Sequence, residues 1–534
     1  MAAAQLPSHR EPGLNTIGQS HALEQQDAGA AKPRRKRDIL AFRIIPLLIA
    51  LAMVINTYSY SLVTAIPLIQ SDAWRYLDGF LGKFIEQGFS PYDLFVQANQ
   101  ADTNLPLQKM LLFFHTRFYG MDFRLEGLVG TLCGIALVGV LARASAGPLN
   151  RWGGREYWLL AALALAVLSL NSTNVYTWPL ATLWFLPMLL AAAYMWLVFA
   201  RPQARVGILG ATFLLGLALD EVTFPVFASV FGALLLAHRS RQPGQLRTFT
   251  VYGLAGLALS RLLYWVLGRL GSQGTGAASS SRSMDAFLDP SIWKAAAIPL
   301  TDGLVHQANQ ATLFGSGAST FAWIAGLGML AAHGWFWWRA VFARNTGGPA
   351  FTRVTLLAMG VMLLCYGLVL GIVLQRVPQF GFEYLHQPRY AMFYVLHLAA
   401  LGMLAYRDLR YMSHGARARE VLAGVAIAVV LLFSALQLRL STLAWEHAKY
   451  LSAYVVGVSY SMGKLAADPE STQCADIMTI CEFSPEKRRR LIGLLVNYRL
   501  NLFSPDFQAF YRLQPFPPRP LTEAKSAAEA QAPP

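Results

Sequence analysis

The sequence predicts an all-α polytopic membrane protein with about eleven transmembrane helices, a long first outer loop and a small soluble outer carboxy-terminal domain. Hydrophobic residues make up 55% of the 534-residue chain and charged residues only 14%, whereas about a quarter of the residues in soluble proteins are charged. Most of the length lies in apolar runs of about 17 to 25 residues, each long enough to cross a hydrocarbon core of roughly 30 Å. Arginine clusters occupy alternate short loops, which is how positive charge fixes the orientation of a membrane protein.

The amino-terminal segment 1–38 is rich in Ala, Gln, Ser and Pro and has no apolar period. Such a composition buries too little surface to offset chain entropy, so we expect a disordered cytoplasmic tail. A basic run from Lys32 to Arg37 then precedes an apolar stretch at about 39–68. This stretch is too long and too far from the start for a cleaved signal peptide. It predicts an uncleaved first helix that enters the membrane from the cytoplasm.

Ten further apolar runs follow, at about 127–143, 157–171, 181–200, 206–219, 222–237, 248–268, 320–342, 354–375, 389–405 and 421–440. Their loop charges place the loops 69–125 and 269–319 on the outer face. The transmembrane domain therefore covers 39–440, followed by a small helical periplasmic domain at 441–515 and a Pro-rich disordered tail at 516–534. The net charge of +15 is spread through the short loops, so it indicates membrane orientation rather than binding to nucleic acid.

The first outer loop opens with Asp72, at the point where the first membrane helix ends, in the run Asp-Ala-Trp-Arg-Tyr. The apolar residues that follow recur at helical spacing, which suits a helix lying along the membrane interface. A carboxylate at this level can take a proton from an acceptor hydroxyl or amine. The alternative is that Asp72 is solvated at a helix exit, as many such residues are.

Two short runs, 206–219 and 222–237, form a hairpin whose tip carries Asp220 and Glu221. A run of 14 residues spans only about 21 Å, so we expect the tip to lie below the outer surface. Ionisable groups at that depth are costly unless they face a polar cavity or a partner. The hairpin tip is therefore either part of a cavity or an acidic turn at the water interface.

Arg389 begins the tenth predicted helix, on the outer side of the membrane. Its planar guanidinium is suited to bidentate binding of a phosphate, and the alternative is an arginine that anchors a helix end among headgroups. His386 and Arg376 add positive charge nearby, and Lys109 in the first outer loop is a weaker phosphate-binding candidate.

The layout of residues 39–440, with Asp72 at the head of a large outer loop, resembles the GT-C superfamily of membrane glycosyltransferases. That group contains the protein O-mannosyltransferases and the lipid A aminoarabinose transferases. The resemblance implies transfer of a sugar from a polyprenyl-phosphate donor to a periplasmic lipid, polysaccharide or protein acceptor. It also implies the bacterial inner membrane as the location. No cofactor is implied, and the residues leave the need for a divalent cation open.

On this interpretation Asp72 is the catalytic base, and Asp78 is the candidate second acid of the pair that many members of the superfamily carry. Asp220 and Glu221 are acidic residues for substrate binding, and Arg389 binds the donor phosphate. Two other classes of function stay open, namely a flippase or transporter of lipid-linked sugars and a noncatalytic scaffold of an envelope complex. Transporters usually have internal repeats and polar residues near the membrane midplane, and the sequence shows no repeat and few midplane charges.

Cys474 and Cys481 lie in the predicted periplasmic domain, separated by six residues. In an oxidising compartment, with no nearby Cys or His arrangement that fits zinc, the pair favours a disulfide over a metal site. Cys133 and Cys365 each lie inside an apolar run and are expected to be small buried hydrophobic residues.

Overall fold

A computed structural model describes residues 36–96, 105–238, 243–271, 288–342, 352–411, 416–471 and 479–513. Within these ranges the regular secondary structure is helical. The first ten α-helices are α1 (Lys36–Thr64), α2 (Asp72–Tyr76), α3 (Gly82–Gln87), α4 (Pro106–Tyr119), α5 (Arg124–Ala146), α6 (Gly154–Val167), α7 (Asn174–Thr177), α8 (Pro179–Thr182), α9 (Phe185–Ala200) and α10 (Arg205–Leu219). The others are α11 (Thr223–His238), α12 (Pro243–Gly271), α13 (Lys294–Asp302), α14 (Gln307–Phe314), α15 (Ala318–Trp337), α16 (Arg353–Phe380), α17 (Ala391–Tyr411), α18 (Ala416–Ala448), α19 (Leu451–Ala467), α20 (Pro485–Asn497) and α21 (Pro505–Tyr511).

Eight helical segments among the described residues are long and apolar enough to cross a membrane. They are Phe42–Thr64, Arg124–Ala146, Pro179–Ala200, Arg205–His238, Gly244–Gly271, Gln307–Phe342, Arg353–Phe380 and Glu420–Ala467. The prediction of a helical membrane protein is therefore confirmed at this level.

The count of eight differs from the predicted eleven for reasons of length and charge. Helices α10 and α11, separated only by the short turn Asp220–Val222, are counted together in the segment Arg205–His238. Helix α6 has 14 residues and spans about 21 Å, less than the roughly 30 Å of a hydrocarbon core. Helix α17 ends in a charged turn that contains Arg407, Asp408 and Arg410. Each predicted apolar run still corresponds to a helix.

Charged residues from several predicted cytoplasmic loops meet at one end of the bundle. Arg339 Nε lies 2.9 Å from Asp408 Oδ2, and Arg407 pairs with the same carboxylate. Glu156 accepts a hydrogen bond from the Tyr406 hydroxyl at 2.9 Å and lies 3.6 Å from Arg410 Nη1. These contacts join α6, α17 and the turn that directly follows α15 at one end of the bundle.

The carboxy-terminal segment is not packed as a separate unit. Trp74 and Leu77 of the first outer loop share one hydrophobic core with Ile480, Leu491 and Phe503. A larger core lies within the bundle, among helices such as α6, α11, α16 and α17. The segment predicted as a small soluble domain thus buries its apolar surface against the first outer loop.

Helices extend into several predicted loops. The loop predicted at 269–319 contains α13 and α14. Helix α18 runs on to Ala448, past the end predicted for its apolar run near residue 440. Residues 1–35 and 514–534 lie outside the described residues, so the predicted tails have no structural account here.

Candidate functional site

A cavity of about 460 Å³ lies between α11, α16 and the segments that carry α2, α4 and α8. The charged and polar residues that line it are Asp72, Tyr76, Gln108, Glu221, Gln375, Arg376, Arg389 and Tyr390. These residues come from five separated parts of the chain. The structure therefore brings together the predicted base Asp72, one hairpin acid and the predicted phosphate-binding arginine.

Both cavity carboxylates follow a strained residue. Ser71, just before Asp72, has φ 48° and ψ −128°, and Asp220, just before Glu221, has φ 47° and ψ −124°. Residues other than glycine rarely adopt a positive φ, and each such position costs about 1–3 kcal/mol. Strained residues of this kind cluster at functional sites, where the surrounding structure holds them in place.

Asp72 is the first residue of α2, and its side chain is 32% exposed. Arg75 Nη1 lies 3.9 Å from Asp72 Oδ1, while Arg75 Nη2 lies 3.8 Å from Glu482 Oε2. The Asp72 carboxylate is partly exposed and lines the cavity. It can therefore accept a proton from a ligand that enters there.

Three aromatic rings lie close to the Arg389 guanidinium. Its Cζ lies 5.2 Å from the ring centre of Trp178, 5.8 Å from that of Tyr384 and 5.3 Å from that of Tyr390. Arg389 Nη2 also donates a hydrogen bond of 2.7 Å to the Tyr384 hydroxyl. The negative charge of Asp72 contributes to the electrostatic environment of this guanidinium. These contacts fix the plane in which Arg389 presents its donors to the cavity.

A buried polar network supports the backbone before Arg389. The Ser172 hydroxyl donates to the carbonyl of Pro388 at 2.7 Å. His386 Nδ1 lies 2.8 Å from Asp302 Oδ2, and Asp302 is completely buried. His386 is not among the residues that line the cavity. His386, predicted to add positive charge near Arg389 for substrate binding, lies instead in the network with Asp302 and His306.

His306 in the same network makes contacts through both of its ring nitrogens. Its Nδ1 accepts the backbone N–H of Ala308 at 3.2 Å, and its Nε2 donates to the carbonyl of His386 at 2.8 Å. A backbone N–H only donates and a carbonyl only accepts, so these two partners suit an acceptor at Nδ1 and a donor at Nε2. The side chain of Asn171 joins this loop to the bundle by accepting from the His306 N–H at 2.6 Å.

Two of the predicted acidic residues are engaged in ion pairs away from the cavity lining. Asp78 Oδ2 lies 2.5 Å from Lys487 Nζ, and Asp78 Oδ1 lies 3.8 Å from Arg490 Nη1. Asp220 accepts a hydrogen bond from Arg261 Nη1 at 2.5 Å. Asp78 thus joins the first outer loop to α20, and Asp220 joins the hairpin tip to α12. Neither residue lines the cavity, and the acidic residues that do line it are Asp72 and Glu221.

Lys109 is also buried away from the cavity. Its Nζ donates to the carbonyl of Asp93 at 3.2 Å and to the carbonyl of Val96. Burial lowers the pKa of Lys109 to about 7, and the charges of Asp220 and Asp93 oppose that shift only in part. The neighbouring Gln108 lines the cavity instead. Lys109 therefore holds the loop around Asp93, and it is not among the residues that line the cavity.

The remaining predictions concern cysteines and metals. Cys481 takes part in a disulfide bond, while Cys133 and Cys365 are free. Cys474 lies outside the described residues, so its pairing with Cys481 stays a prediction. Within the described ranges, no group of three or more His, Cys, Asp or Glu residues is placed to hold a metal ion.

Sequence reasoning missed the residues that shape the rest of the cavity. Tyr76 donates to Gln108 Oε1 at 3.4 Å, and both side chains line the cavity while being mostly buried. Gly367 and Gly371 on α16 line its apolar part. These glycines are four residues apart, so they lie on one face of the helix, shortly before Arg376. Their spacing in the sequence could have predicted a gap in the helix surface.

Comparison of the chain with family models, with curated proteins and with solved structures found no match. The functional argument therefore depends on the cavity itself. Its geometry combines two carboxylates, two arginines and an apolar part in one space.

Proposed function

We propose that this chain is a membrane glycosyltransferase that moves a sugar from a polyprenyl-phosphate donor to a periplasmic lipid, polysaccharide or protein acceptor. The observation that carries the proposal is the single cavity that Asp72, Glu221, Arg376 and Arg389 share with an apolar slot. An anionic head group with a long apolar chain is the class of ligand that matches both parts.

The apolar slot follows two helices away from the charged end. On α16 the lining residues run from Arg376 back to Gly367, nine positions or about 14 Å along the helix. On α11 they run from Phe224 to Ala228, just after Glu221. A methyl group added to Gly371 would meet no atom within 4 Å, so this glycine leaves open space. Such a slot gives an isoprenoid chain room beside the bundle while its phosphate meets the arginines.

In the proposed reaction Asp72 takes the proton of an acceptor hydroxyl or amine. The freed electron pair attacks the anomeric carbon of the donor sugar, and the bond from that carbon to the phosphate oxygen breaks. The leaving polyprenyl phosphate gains negative charge, which Arg389 and Arg376 stabilise. Asp72 then releases its proton to solvent, so the base is restored for the next acceptor.

The proposal includes a location and topology. We infer a bacterial inner-membrane protein with eleven spans, a cytoplasmic amino terminus and a periplasmic carboxy-terminal segment. The charge clusters that meet around Asp408 then lie on the cytoplasmic side, and the cavity lies on the periplasmic side. In this orientation a lipid-linked donor reaches the cavity from the outer leaflet.

A flippase for a lipid-linked sugar is the second candidate, because an amphipathic cavity of this size also suits a transported lipid. The two functions differ in whether a covalent bond changes. Mass spectrometry of lipid-linked and envelope glycans distinguishes them in cells with the wild-type gene, without the gene and with Asp72→Asn. We expect one envelope glycan to lose a sugar in both altered strains, with the Asp72→Asn protein still present in the membrane. Full glycan output from the Asp72→Asn strain would rule out this mechanism and favour the flippase.

A further inference from the structure

The carboxy-terminal segment contacts the part of the chain that ends in Asp72. Asn501, between α20 and α21, is completely buried. Its side chain forms three hydrogen bonds, with the backbone of Pro67, Ile69 and Met121. Pro67 and Ile69 belong to the stretch that joins α1 to α2. Asn501 therefore bonds to the segment just before the candidate base, from which it is separated by more than four hundred residues in the sequence.

The geometry uses the whole amide of Asn501. Nδ2 donates to the carbonyl of Pro67 at 2.9 Å and to the carbonyl of Met121 at 2.6 Å. Oδ1 accepts the backbone N–H of Ile69 at 3.2 Å, and the backbone N–H of Asn501 donates to Gly120 at 2.7 Å. A carbonyl only accepts and a backbone N–H only donates, so the orientation of the amide is fixed.

The backbone conformation also selects this residue type. Asn501 has φ 52°, in the left-handed region that asparagine tolerates better than most residues. The position thus needs a side chain with one acceptor and two donors, on a backbone that excludes most alternatives. Among the side chains, asparagine meets both needs.

Ile69 lies three residues before Asp72, and the strained Ser71 stands between them. A strained position persists only where neighbouring contacts hold it. Ile69 and Leu68 are buried on one side of Ser71, and Ala73 and Trp74 are buried on the other. Asn501 supplies the hydrogen bonds that hold the first of these anchors.

We propose that Asn501 is a positioning residue that holds the Pro67–Asp72 segment so that the Asp72 carboxylate faces the cavity. The carboxy-terminal segment is then part of the active site rather than an appended domain. This inference depends on the proposed function for its chemistry, but the hydrogen bonds that carry it do not.

The informative variant is Asn501→Gly, because glycine adopts φ 52° without strain and the change removes the side chain that carries the amide. Asn497→Gly is the matched control, since Asn497 is an exposed residue at the end of α20. Three measurements on the purified full-length protein in detergent apply to both. They are amide hydrogen exchange by mass spectrometry, binding of undecaprenyl phosphate, and sugar transfer from a lipid-linked extract of the host membranes.

We expect exchange of a peptide spanning residues 67–75 to be at least about tenfold faster in Asn501→Gly, the factor that loss of one buried hydrogen bond produces. Exchange in the α6 and α16 peptides, and binding of undecaprenyl phosphate, stay at wild-type values. We expect kcat for sugar transfer to fall while KM stays unchanged. The Asp72 carboxylate is displaced in the variant, whereas the phosphate-binding site at Arg389 is unaltered. Asn497→Gly behaves as wild type throughout.

Unchanged exchange at 67–75 would overturn the proposal. Faster exchange across the whole bundle together with lost lipid binding would also overturn it, because Asn501 would then have only a general structural role. Wild-type protein that transfers no sugar would instead refute the proposed function, and the exchange measurement would still decide whether Asn501 holds this segment.

Discussion

Replacement of Arg389 by alanine should weaken binding of undecaprenyl phosphate while leaving binding of the uncharged undecaprenol unchanged. Three aromatic rings hold the guanidinium at 5.2 to 5.8 Å, so its donors are already oriented before the ligand arrives. Hydrogen bonds to a charged group each contribute about 1.5–3 kcal/mol, which corresponds to a loss of roughly 10- to 150-fold in affinity. Arg389→Lys should recover only part of that loss, because lysine keeps the charge but not the planar fork.

The assay is a titration of the purified protein with each lipid, followed by quenching of tryptophan fluorescence. Trp178 and Trp184 line the cavity and supply the local signal. Arg410→Ala is the matched control, since Arg410 lies at the opposite end of the bundle beside Glu156. Equal affinity of wild type and Arg389→Ala for undecaprenyl phosphate would refute the assignment of Arg389 as the phosphate site. An equal loss for undecaprenol would show that the change damaged the cavity as a whole.

Three further predictions concern the slot, the strained turn and the buried lysine. Gly371→Leu should fill the open space in the slot and reduce binding of both undecaprenyl lipids. Gly328→Leu, on α15, also adds a side chain where there is open space, and it should leave binding unchanged. Equal binding by the two variants would refute the assignment of the slot to the lipid chain. Ser71→Gly should relieve backbone strain and stabilise the protein by about 1 kcal/mol, measured as thermal unfolding in detergent, and a lower melting temperature would contradict this. Burial lowers the pKa of Lys109 to about 7 from its ordinary 10.5, so the unfolded chain binds more protons than the folded protein between these values. Stability should therefore rise as the pH rises from about 7 to about 10, and Lys109→Met should flatten that slope; an unaltered slope in the variant would assign it to other groups.

The sequence was sufficient for features that depend on helix length and on helix ends. The apolar runs predicted the helices of the bundle, and Asp72, Glu221 and Arg389, which the sequence places near the ends of such runs, line one cavity. Helix ends at one level of a membrane are brought to one interface by topology alone. The short hairpin also predicted acids below the surface, and Glu221 does line the cavity.

The rest depended on partners that lie far away in the chain. Asp78 pairs with Lys487 and Asp220 with Arg261, so both acids look like site candidates until their partners are located. Asn501 gave no signal, because its role arises from backbone groups hundreds of residues away. The shared core of the first outer loop and the carboxy-terminal segment was hidden for the same reason. Side-chain pairing and the packing of separate segments are properties of the folded chain. A single sequence does not show which distant residues will meet.

The most direct test of the central claim measures binding and transfer in one sample of the Asp72→Asn protein. The change removes the base but keeps the size of the side chain, and loss of a general base typically costs about 10² to 10⁴ in rate. We predict wild-type affinity for undecaprenyl phosphate, a normal melting temperature and a loss of sugar transfer within that range. Transfer at the wild-type rate by a folded Asp72→Asn protein would contradict the account.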